Sequence, residues 1–163
     1  GIDPKVVEQV TKAVRKVTDK PVIVKLSPNV TDIVEIAKAV EAGGGNGVSL
    51  INTILGMAID IHRRKPVLGN IYGGLSGPAV KPVALRMVHQ VYKGVTIPII
   101  GLGGIMSGTD AIEFMMAGAQ AVQVGTATMV DPTAISRLAR EMGDYVEQYN
   151  LNSITDIVGT VHQ

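Results

Sequence analysis

Residues 21–51 carry the pattern that decides the fold, and they read PVIVKLSPNVTDIVEIAKAVEAGGGNGVSLI. The segment 21–26 is a continuous apolar run that contains one charge, Lys25, and such a run is typical of a strand buried on both faces. The segment 31–42 follows with apolar residues at helical spacing, three glycines end it, and 47–51 is a second apolar run. This order of elements predicts a parallel βαβ unit.

The same alternation of apolar runs and amphipathic segments continues through the chain. Further strands are predicted at 97–102 and 121–124, and helices at 4–17, 78–92, 110–117, 131–148 and from 153. Asp131 is the expected N-cap of the helix that ends at 148, with Pro132 in its first turn. Four such strands fit either an open doubly wound sheet or part of a barrel. Because a whole (β/α)8 TIM barrel takes about 250 residues, we predict one α/β domain over 1–163 that forms half of one, with four βα units.

Composition excludes several classes of function. The chain of 163 residues is 46% hydrophobic and 18% charged, which is typical of a folded domain. Its formal net charge of +1 argues against binding to nucleic acid or to a membrane surface through charge. It contains no cysteine, which excludes disulfides, thiolate metal sites and a cysteine nucleophile within the chain. No apolar stretch approaches the roughly 20 residues of a membrane span, so we expect neither a membrane segment nor a leader.

Chemically useful residues stand where the predicted strands end, which is where the acting groups of an α/β barrel lie. They are Lys25, Asn52–Thr53, Gly103–Gly104 and Gly125–Thr126. Glycine lets backbone N–H groups approach phosphate oxygens, and the helix that follows adds a favourable dipole. Each glycine turn alone is a common feature, but two of them after successive apolar strands predict a phosphate site. The long, glycine-rich connection 53–77 is predicted to be a functional loop or lid.

Lys25 and Asn52 each allow two interpretations. A lysine within an apolar strand either extends to solvent at the strand end or faces an electron-rich ligand, or forms a Schiff base with one. A strand-terminal asparagine either hydrogen-bonds to its own loop or holds a substrate by donating and accepting.

The remaining titratable residues are interpreted as structural. The three histidines, His62, His89 and His162, lack metal-ligand spacing, so no metal site is predicted. Asp110 and Glu113 lie in the first turns of a predicted helix, where acidic side chains interact favourably with the helix dipole.

Five segments together resemble the dihydroorotate dehydrogenase family, and within it the catalytic subunits of the NAD-linked heteromeric type. They are VKLSPNV at 24–30, INT at 51–53, GGLSGPA at 73–79, IGLGGI at 100–105 and VGTA at 124–127. The resemblance covers almost the whole chain, with the segments in the family's order. It implies a (β/α)8 barrel that binds FMN at the carboxyl ends of its strands and oxidises dihydroorotate to orotate in pyrimidine biosynthesis. This chain would be the C-terminal half of that barrel.

The resemblance also implies a role for each site residue. FMN would be bound by Lys25, Ile51, Gly77, Gly103, Gly104, Gly125 and Thr126. Asn52 and Thr53 would hold the substrate pyrimidine. Lys25 would lie against the pyrimidine end of the flavin, where a cation stabilises negative charge on the reduced ring. The glycine pair after the third strand, with Gly125 and Thr126, would bind the phosphate.

One part of the family's machinery has no counterpart in this sequence. The NAD-linked type uses a cysteine in the first half of the barrel to take a proton from C5 of the substrate while hydride leaves C6. The chain has no cysteine, so no catalytic residue is assigned here and the base is expected in an N-terminal half. Because a general base typically contributes about 10²–10⁴-fold, we expect the isolated chain to be an inactive fragment of the enzyme.

The expected partners follow from the half barrel and from the resemblance. The exposed edges of a half barrel are expected to pair with the N-terminal half of the barrel or to cause self-association. The resemblance implies that the parent enzyme is a cytoplasmic homo-oligomer with an electron-transfer subunit that carries FAD and an iron–sulfur cluster. Two other interpretations stay open: a flavin-free phosphate-binding barrel enzyme, and a non-catalytic half-barrel module that keeps a phosphate pocket.

Overall fold

The computed structural model describes residues 1–162, and every strand and helix predicted from the sequence is present within three residues of its expected limits. In chain order the elements are α1 (Pro4–Arg15), β1 (Ile23–Leu26), α2 (Ile33–Ala42), β2 (Gly47–Leu50), β3 (Ile54–Met57), β4 (Ile59–Asp60), β5 (Lys65–Pro66), β6 (Tyr72–Leu75), α3 (Lys81–Tyr92), β7 (Ile99–Leu102), α4 (Gly108–Met116), β8 (Ala121–Gln123), α5 (Thr126–Val130) and α6 (Ala134–Gln148). Short 3-10 helices lie at Pro78–Val80, Ile154–Ile157 and Thr160–His162.

Four strands form one parallel sheet in the order β1-β2-β7-β8. Lys25 lies opposite Ser49, Ser49 opposite Ile100 and Ile100 opposite Ala121, so these residues form one row across the sheet. Helices α2, α3 and α4 lie in the connections between successive strands, as the crossovers of a parallel sheet require. The predicted α/β class and the four parallel βα units of a half barrel are confirmed.

The two faces of this sheet differ in burial, and the difference fixes where the site lies. Leu26, Leu50 and Ile99 are at most 1% exposed and pack with the helices in the main core. Lys25 and Ala121, whose side chains point to the opposite face of the sheet, are exposed. Because neighbouring side chains on a strand point to opposite faces, Lys25 projects from the face that the helices leave uncovered.

The connection 53–77 contains an antiparallel extension, which the sequence did not predict. β3 pairs with β6, and β4 pairs with β5. We call residues 54–75 the β-extension. A Cβ on Gly74 would lie 2.6 Å from the Thr53 Cβ, so this pairing requires glycine at the position. Many apolar side chains of the β-extension are exposed: Leu55, Met57, Ile59, Ile61, Val67, Leu68, Ile71, Tyr72 and Leu75.

One predicted helix start is wrong. Asp131 ends α5, and its carboxylate accepts hydrogen bonds from the backbone N–H and the hydroxyl of Thr133 at 2.9 and 2.7 Å. Helix α6 begins at Ala134, after this turn. An aspartate followed by proline forms the same local hydrogen bonds in a turn between two helices as it does in an N-cap, and the sequence does not distinguish them.

Candidate functional site

A cavity of about 680 Å³ opens at the carboxyl ends of the parallel strands. The nine residues predicted for the site all line it, and they are Lys25, Ile51, Asn52, Thr53, Gly77, Gly103, Gly104, Gly125 and Thr126. They come from β1, from the segments that follow β2, β7 and β8, and from the end of the long connection. The volume is within the range of about 300–1,000 Å³ that is typical of sites for small ligands and cofactors.

Three glycine-containing turns meet on one side of the cavity. A Cβ on Gly104 would lie 2.7 Å from the Gly77 carbonyl oxygen and 2.8 Å from the Lys81 backbone nitrogen. A Cβ on Gly77 would lie 3.5 Å from the Thr126 methyl carbon, so the turn after β8 is adjacent as well. Gly77 and Gly104 have φ of +87° and +78°, which L side chains rarely adopt. We call this surface the glycine cradle, and its members are Gly77, Gly103, Gly104, Gly125 and Thr126.

A pair of hydroxyls joins two turns of the glycine cradle. The Thr126 hydroxyl donates to the Ser76 hydroxyl oxygen at 3.0 Å, and Ser76 also lines the cavity. The bond connects the end of the long connection to the start of α5. Because a hydroxyl donates one hydrogen bond and accepts two, both groups keep capacity for a ligand.

The Lys25 side chain lines the cavity and is exposed. Over residues 1–162, no carboxylate forms a salt bridge with its ammonium group. Lys81, by contrast, is held by two carboxylates. A cation at a ligand-sized cavity without a protein counter-ion suits an anionic or electron-rich ligand.

The Asn52 side chain is oriented by its own loop. Its Oδ1 accepts the Thr53 N–H at 2.9 Å, and its backbone N–H donates to the Leu26 carbonyl at 3.0 Å. The amide oxygen therefore has the local role that was one of its two predicted interpretations. The amide nitrogen has no acceptor in the part of the chain that the structure describes, and it remains available to a ligand in the cavity.

Ion pairs hold the loop between β7 and α4, which contains Gly103 and Gly104 of the glycine cradle. The Lys81 Nζ donates to Asp110 at 2.5 Å and to Glu113 at 2.8 Å. The other carboxylate oxygen of Asp110 accepts the N–H groups of Met106 and Ser107 at 2.8 and 3.0 Å. Burial favours the neutral form of Asp110, but the hydrogen bonds from Lys81 and Met106 outweigh it and lower the pKa of the carboxyl. This carboxylate is therefore charged and fixes the loop at neutral pH.

A second pair of charges holds the other side of the same loop. Arg137 donates to the Met106 carbonyl at 3.2 Å and to Glu141 at 2.9 Å. Glu141 accepts the Gly108 N–H, and this bond together with Arg137 lowers the pKa of the Glu141 carboxyl. We call this set of side chains the ionic clamp, and its members are Lys81, Asp110, Glu113, Arg137 and Glu141.

Some residues at the cavity were not singled out from the sequence. Gln123 lines it and lies two residues after Ala121 on the same strand, so strand alternation alone places it on the face of Lys25. Ser76 also lines the cavity, and it belongs to the GGLSGPA segment at 73–79. Lys81 was missed for a different reason, because nothing in the sequence pairs it with Asp110, 29 residues away.

Residues 1–162 contain neither a cluster of metal-ligand side chains nor a helix able to span a membrane. No group of three or more histidine, aspartate or glutamate side chains could hold a metal ion there. The same part of the chain contains no helix with the length and apolar character needed to cross a bilayer, and its longest helix, α6, has 15 residues.

The sheet and its cavity define a class of protein, the α/β barrels that bind ligands among the loops at the carboxyl ends of their strands. A family model described as dihydroorotate dehydrogenase matches residues 1–146. The chain belongs to the dihydroorotate dehydrogenase family, as its motifs predicted.

Similar proteins share one name, "Dihydroorotate dehydrogenase B (NAD(+)), catalytic subunit". The protein of that name from Alkaliphilus oremlandii is 62% identical over 159 residues, which cover 98% of this chain and 53% of the relative. Those from Alkaliphilus metalliredigens and Geobacter sp. (strain M21) are 60% and 58% identical, and each match covers 99% of this chain and 53% of the relative. The chain therefore spans about half the length of the curated relatives it matches.

Proposed function

We propose that this chain supplies the C-terminal half of the barrel of an FMN-dependent dihydroorotate dehydrogenase, which oxidises dihydroorotate to orotate in pyrimidine biosynthesis. The observation that carries the proposal is one cavity that gathers the glycine cradle, the Lys25 ammonium and the Asn52 amide. The names of the relatives support the reaction, and membership of the family supports the barrel.

FMN fits the residues that surround the cavity. The glycine cradle would hold its phosphate, because backbone N–H groups can come close to the phosphate oxygens where no Cβ intervenes. Ile51 would contact the ring system through its backbone. When bound, FMN takes up the hydride that leaves the substrate. Lys25 would place a positive charge beside the pyrimidine end of the ring system, where it favours the accumulation of negative charge.

Asn52 and Thr53 would hold dihydroorotate against the ring system. The Asn52 Nδ2 is the group that would donate to a carbonyl or carboxylate oxygen of the substrate, since the Oδ1 accepts the Thr53 N–H. Oxidation removes a proton from C5 and a hydride from C6, and the electron pair of the C5–H bond forms the new double bond. Fixing the pyrimidine would set the distance over which the hydride travels.

The base that takes the C5 proton would lie outside this chain. The chain contains no cysteine, which is the residue that the resemblance implies for this step. We therefore propose that an N-terminal half supplies the base and that it forms a single barrel domain together with residues 1–163. The chain alone is expected to have no turnover.

Protein partners are part of the proposal. The relatives are named as catalytic subunits, which supports a further subunit, and we propose an electron-transfer subunit that carries FAD and an iron–sulfur cluster. The exposed apolar side chains of the β-extension, and those of Val6, Val10 and Val14 on α1, support contacts with the N-terminal half or with a second copy in a homo-oligomer. We also propose a cytoplasmic location, which the family resemblance implies.

A full-length hybrid tests the proposal. In it, this chain replaces the matched segment of the Alkaliphilus oremlandii relative, so that the other half of the barrel is present. The purified hybrid is expected to be yellow, to release FMN on denaturation and to form orotate from dihydroorotate with a dye as electron acceptor. A folded but colourless hybrid that binds inorganic phosphate would contradict the FMN-dependent function. Turnover of a phosphorylated substrate by that hybrid would favour the flavin-free barrel enzyme, and the absence of any turnover would favour the non-catalytic module.

A lysine substitution locates the chemistry in this chain. Lys25→Met in the hybrid is expected to lower kcat by about 10²–10³-fold, since it removes a charge aimed at the reacting group. Lys20→Met is the matched control, because Lys20 is exposed on the loop before β1 and outside the cavity. Equal rates in the two variants would contradict the role of Lys25.

A further inference from the structure

We propose that Asn29 is a positioning residue for the substrate-holding pair Asn52–Thr53, an inference that rests on the proposed function. The Asn29 Nδ2 donates to the Thr53 carbonyl oxygen at 3.2 Å, and its Oδ1 accepts the Leu55 N–H at 3.1 Å. One amide therefore binds the backbone on both sides of Ile54. Asn29 does not line the cavity, so it acts through the residues that do.

The amide is itself held at the end of the strand that carries Lys25. The Asn29 backbone N–H donates to the Ser27 hydroxyl oxygen at 3.2 Å, and Ser27 directly follows the last residue of β1. Asn29 thus connects the loop after β1 to the segment after β2. The segment after β2 carries Asn52 and Thr53, which are proposed to hold the substrate, so this connection fixes where they lie relative to the end of β1.

The segment after β2 needs this connection because it leaves the parallel sheet at Asn52. The Asn52 N–H still bonds to the Leu26 carbonyl of the neighbouring strand. β3 begins at Ile54 and pairs with β6 on its other side. On the side of β3 away from β6, the Thr53 carbonyl and the Leu55 N–H bond to the Asn29 amide, which supplies the donor and acceptor that a neighbouring strand would supply. The Asn29 side chain therefore holds the Thr53 carbonyl, while the Asn52 side chain holds the Thr53 N–H.

The glycine cradle lies beside β7 and β8, and Asn29 makes no hydrogen bond to it. Loss of the amide is therefore expected to weaken the hold on the substrate and to leave the binding of FMN unchanged. A displaced contact of this kind is expected to raise KM for dihydroorotate about tenfold, with a smaller effect on kcat. A merely structural role would instead lower the melting temperature without separating substrate from cofactor.

The test compares Asn29→Ala and Asn29→Asp with Asn46→Ala in the full-length hybrid. Asn46 is a matched control, because its Oδ1 accepts the Val22 N–H at 2.9 Å and so links the loops at the amino ends of the same two strands. The measurements are kcat and KM for dihydroorotate, the dissociation constant of orotate from the change in flavin absorbance, the FMN content and the melting temperature.

Asn29→Ala is expected to raise KM and the orotate dissociation constant about tenfold at unchanged FMN content, whereas Asn46→Ala lowers only the melting temperature. Asn29→Asp keeps the acceptor for Leu55 and loses the donor to Thr53, so it carries the same expectation if the alanine variant does not fold. Unchanged constants in an active hybrid overturn this inference alone. A hybrid without FMN or without turnover contradicts the proposed function and this inference together.

Discussion

The loops after β2 and after β7 lie at the same end of the sheet, but different chemistry holds them. Neutral amides fix the segment after β2, through Asn29 and Asn52. The ionic clamp fixes the loop after β7, through Lys81 and Asp110 on one side and Arg137 on the other. The stability of a network of neutral amides does not change with pH where carboxylates titrate, and it changes little with salt. The stability of an ionic network depends on both. The comparison predicts that the affinity for substrate and the affinity for FMN can be weakened separately.

The largest effect on FMN binding is expected from Gly104→Ala, a substitution in the loop after β7 that the ionic clamp holds. A Cβ there would lie 2.7 Å from the Gly77 carbonyl oxygen, and the residue has a φ of +78°. Strain of this kind costs about 1–3 kcal/mol, and the new methyl group would occupy space in the glycine cradle. The affinity of the hybrid for FMN is expected to fall about 100-fold or more in a fluorescence titration.

The matched control for this glycine is Gly143→Ala. Gly143 lies within α6, and a Cβ there would meet no atom within 4 Å. Alanine in a helix is more favourable than glycine by about 0.5–1 kcal/mol, so this variant is expected to be slightly more stable and to bind FMN normally. If both variants bound FMN equally well, the glycine cradle would not be the phosphate site.

A smaller loss is expected from Lys81→Met, which removes the cation of the ionic clamp. The side chains of Lys81 and Asp110 are 24% and 15% exposed, so the Asp110 carboxylate would stay largely buried without its cationic partner. The free energy of unfolding is expected to fall by about 1–3 kcal/mol, and the affinity for FMN about tenfold, because the loop after β7 is released.

Lys12→Met provides the comparison for a surface ion pair. Lys12 pairs with Glu8 on one exposed face of α1, and such pairs contribute about 0–1 kcal/mol. In Lys81→Met, the KM for dihydroorotate is expected to change less than the affinity for FMN, which is the reverse of the pattern expected for Asn29→Ala. If Lys81→Met and Asn29→Ala each weakened the binding of substrate and of FMN to a similar extent, the two loops would move as one unit.

Most of the fold could be predicted because it depends on local patterns. Apolar runs and helical spacing gave the strands and helices. The ends of the predicted strands gave seven of the nine site residues that line the cavity, and the family resemblance added Ile51 and Gly77. The β-extension was missed because its strands are short and rich in glycine, with two residues each in β4 and β5. A two-residue strand has no periodicity to detect.

The support of the site could not be predicted, because it depends on residues that only the fold brings together. Asn29 and Thr53 are 24 residues apart, and Lys81 and Asp110 are 29 residues apart. Asp110 was correctly expected near a helix start, where it completes the capping box with Ser107. Its second carboxylate oxygen binds Lys81 across the gap between α4 and α3, and no local signal reports that contact.

A pH titration separates the two networks further. The pKa of Asp110 is lowered in the folded state, so its contribution to stability is present above the ordinary carboxyl pKa of about 4 and is lost as the pH falls through the lower folded value. The free energy of unfolding of the hybrid is therefore expected to fall less steeply between about pH 5 and pH 3 in Asp110→Asn than in the unsubstituted protein.

The neutral network supplies the control for this titration. The difference in stability between Asn29→Ala and the unsubstituted hybrid is expected to stay constant over the same pH range, since no group in the amide network titrates there. Parallel curves for Asp110→Asn and the unsubstituted hybrid would contradict a stabilising charge on Asp110. Glu141 also has a lowered pKa, so some acid sensitivity is expected to remain in every variant.

The smallest effect is expected from Ser76→Ala, which removes the hydroxyl partner of Thr126 and leaves the backbone of the glycine cradle intact. A neutral hydrogen bond at an exposed site contributes about 0.5–1.5 kcal/mol, so the affinity for FMN is expected to fall about threefold. Thr155→Ala is the control, because it removes a hydroxyl pair with Ser153 at 2.8 Å that lies away from the cavity. A loss in Ser76→Ala as large as that in Gly104→Ala would mean that side-chain hydroxyls, and not the backbone, carry most of the grip on the phosphate.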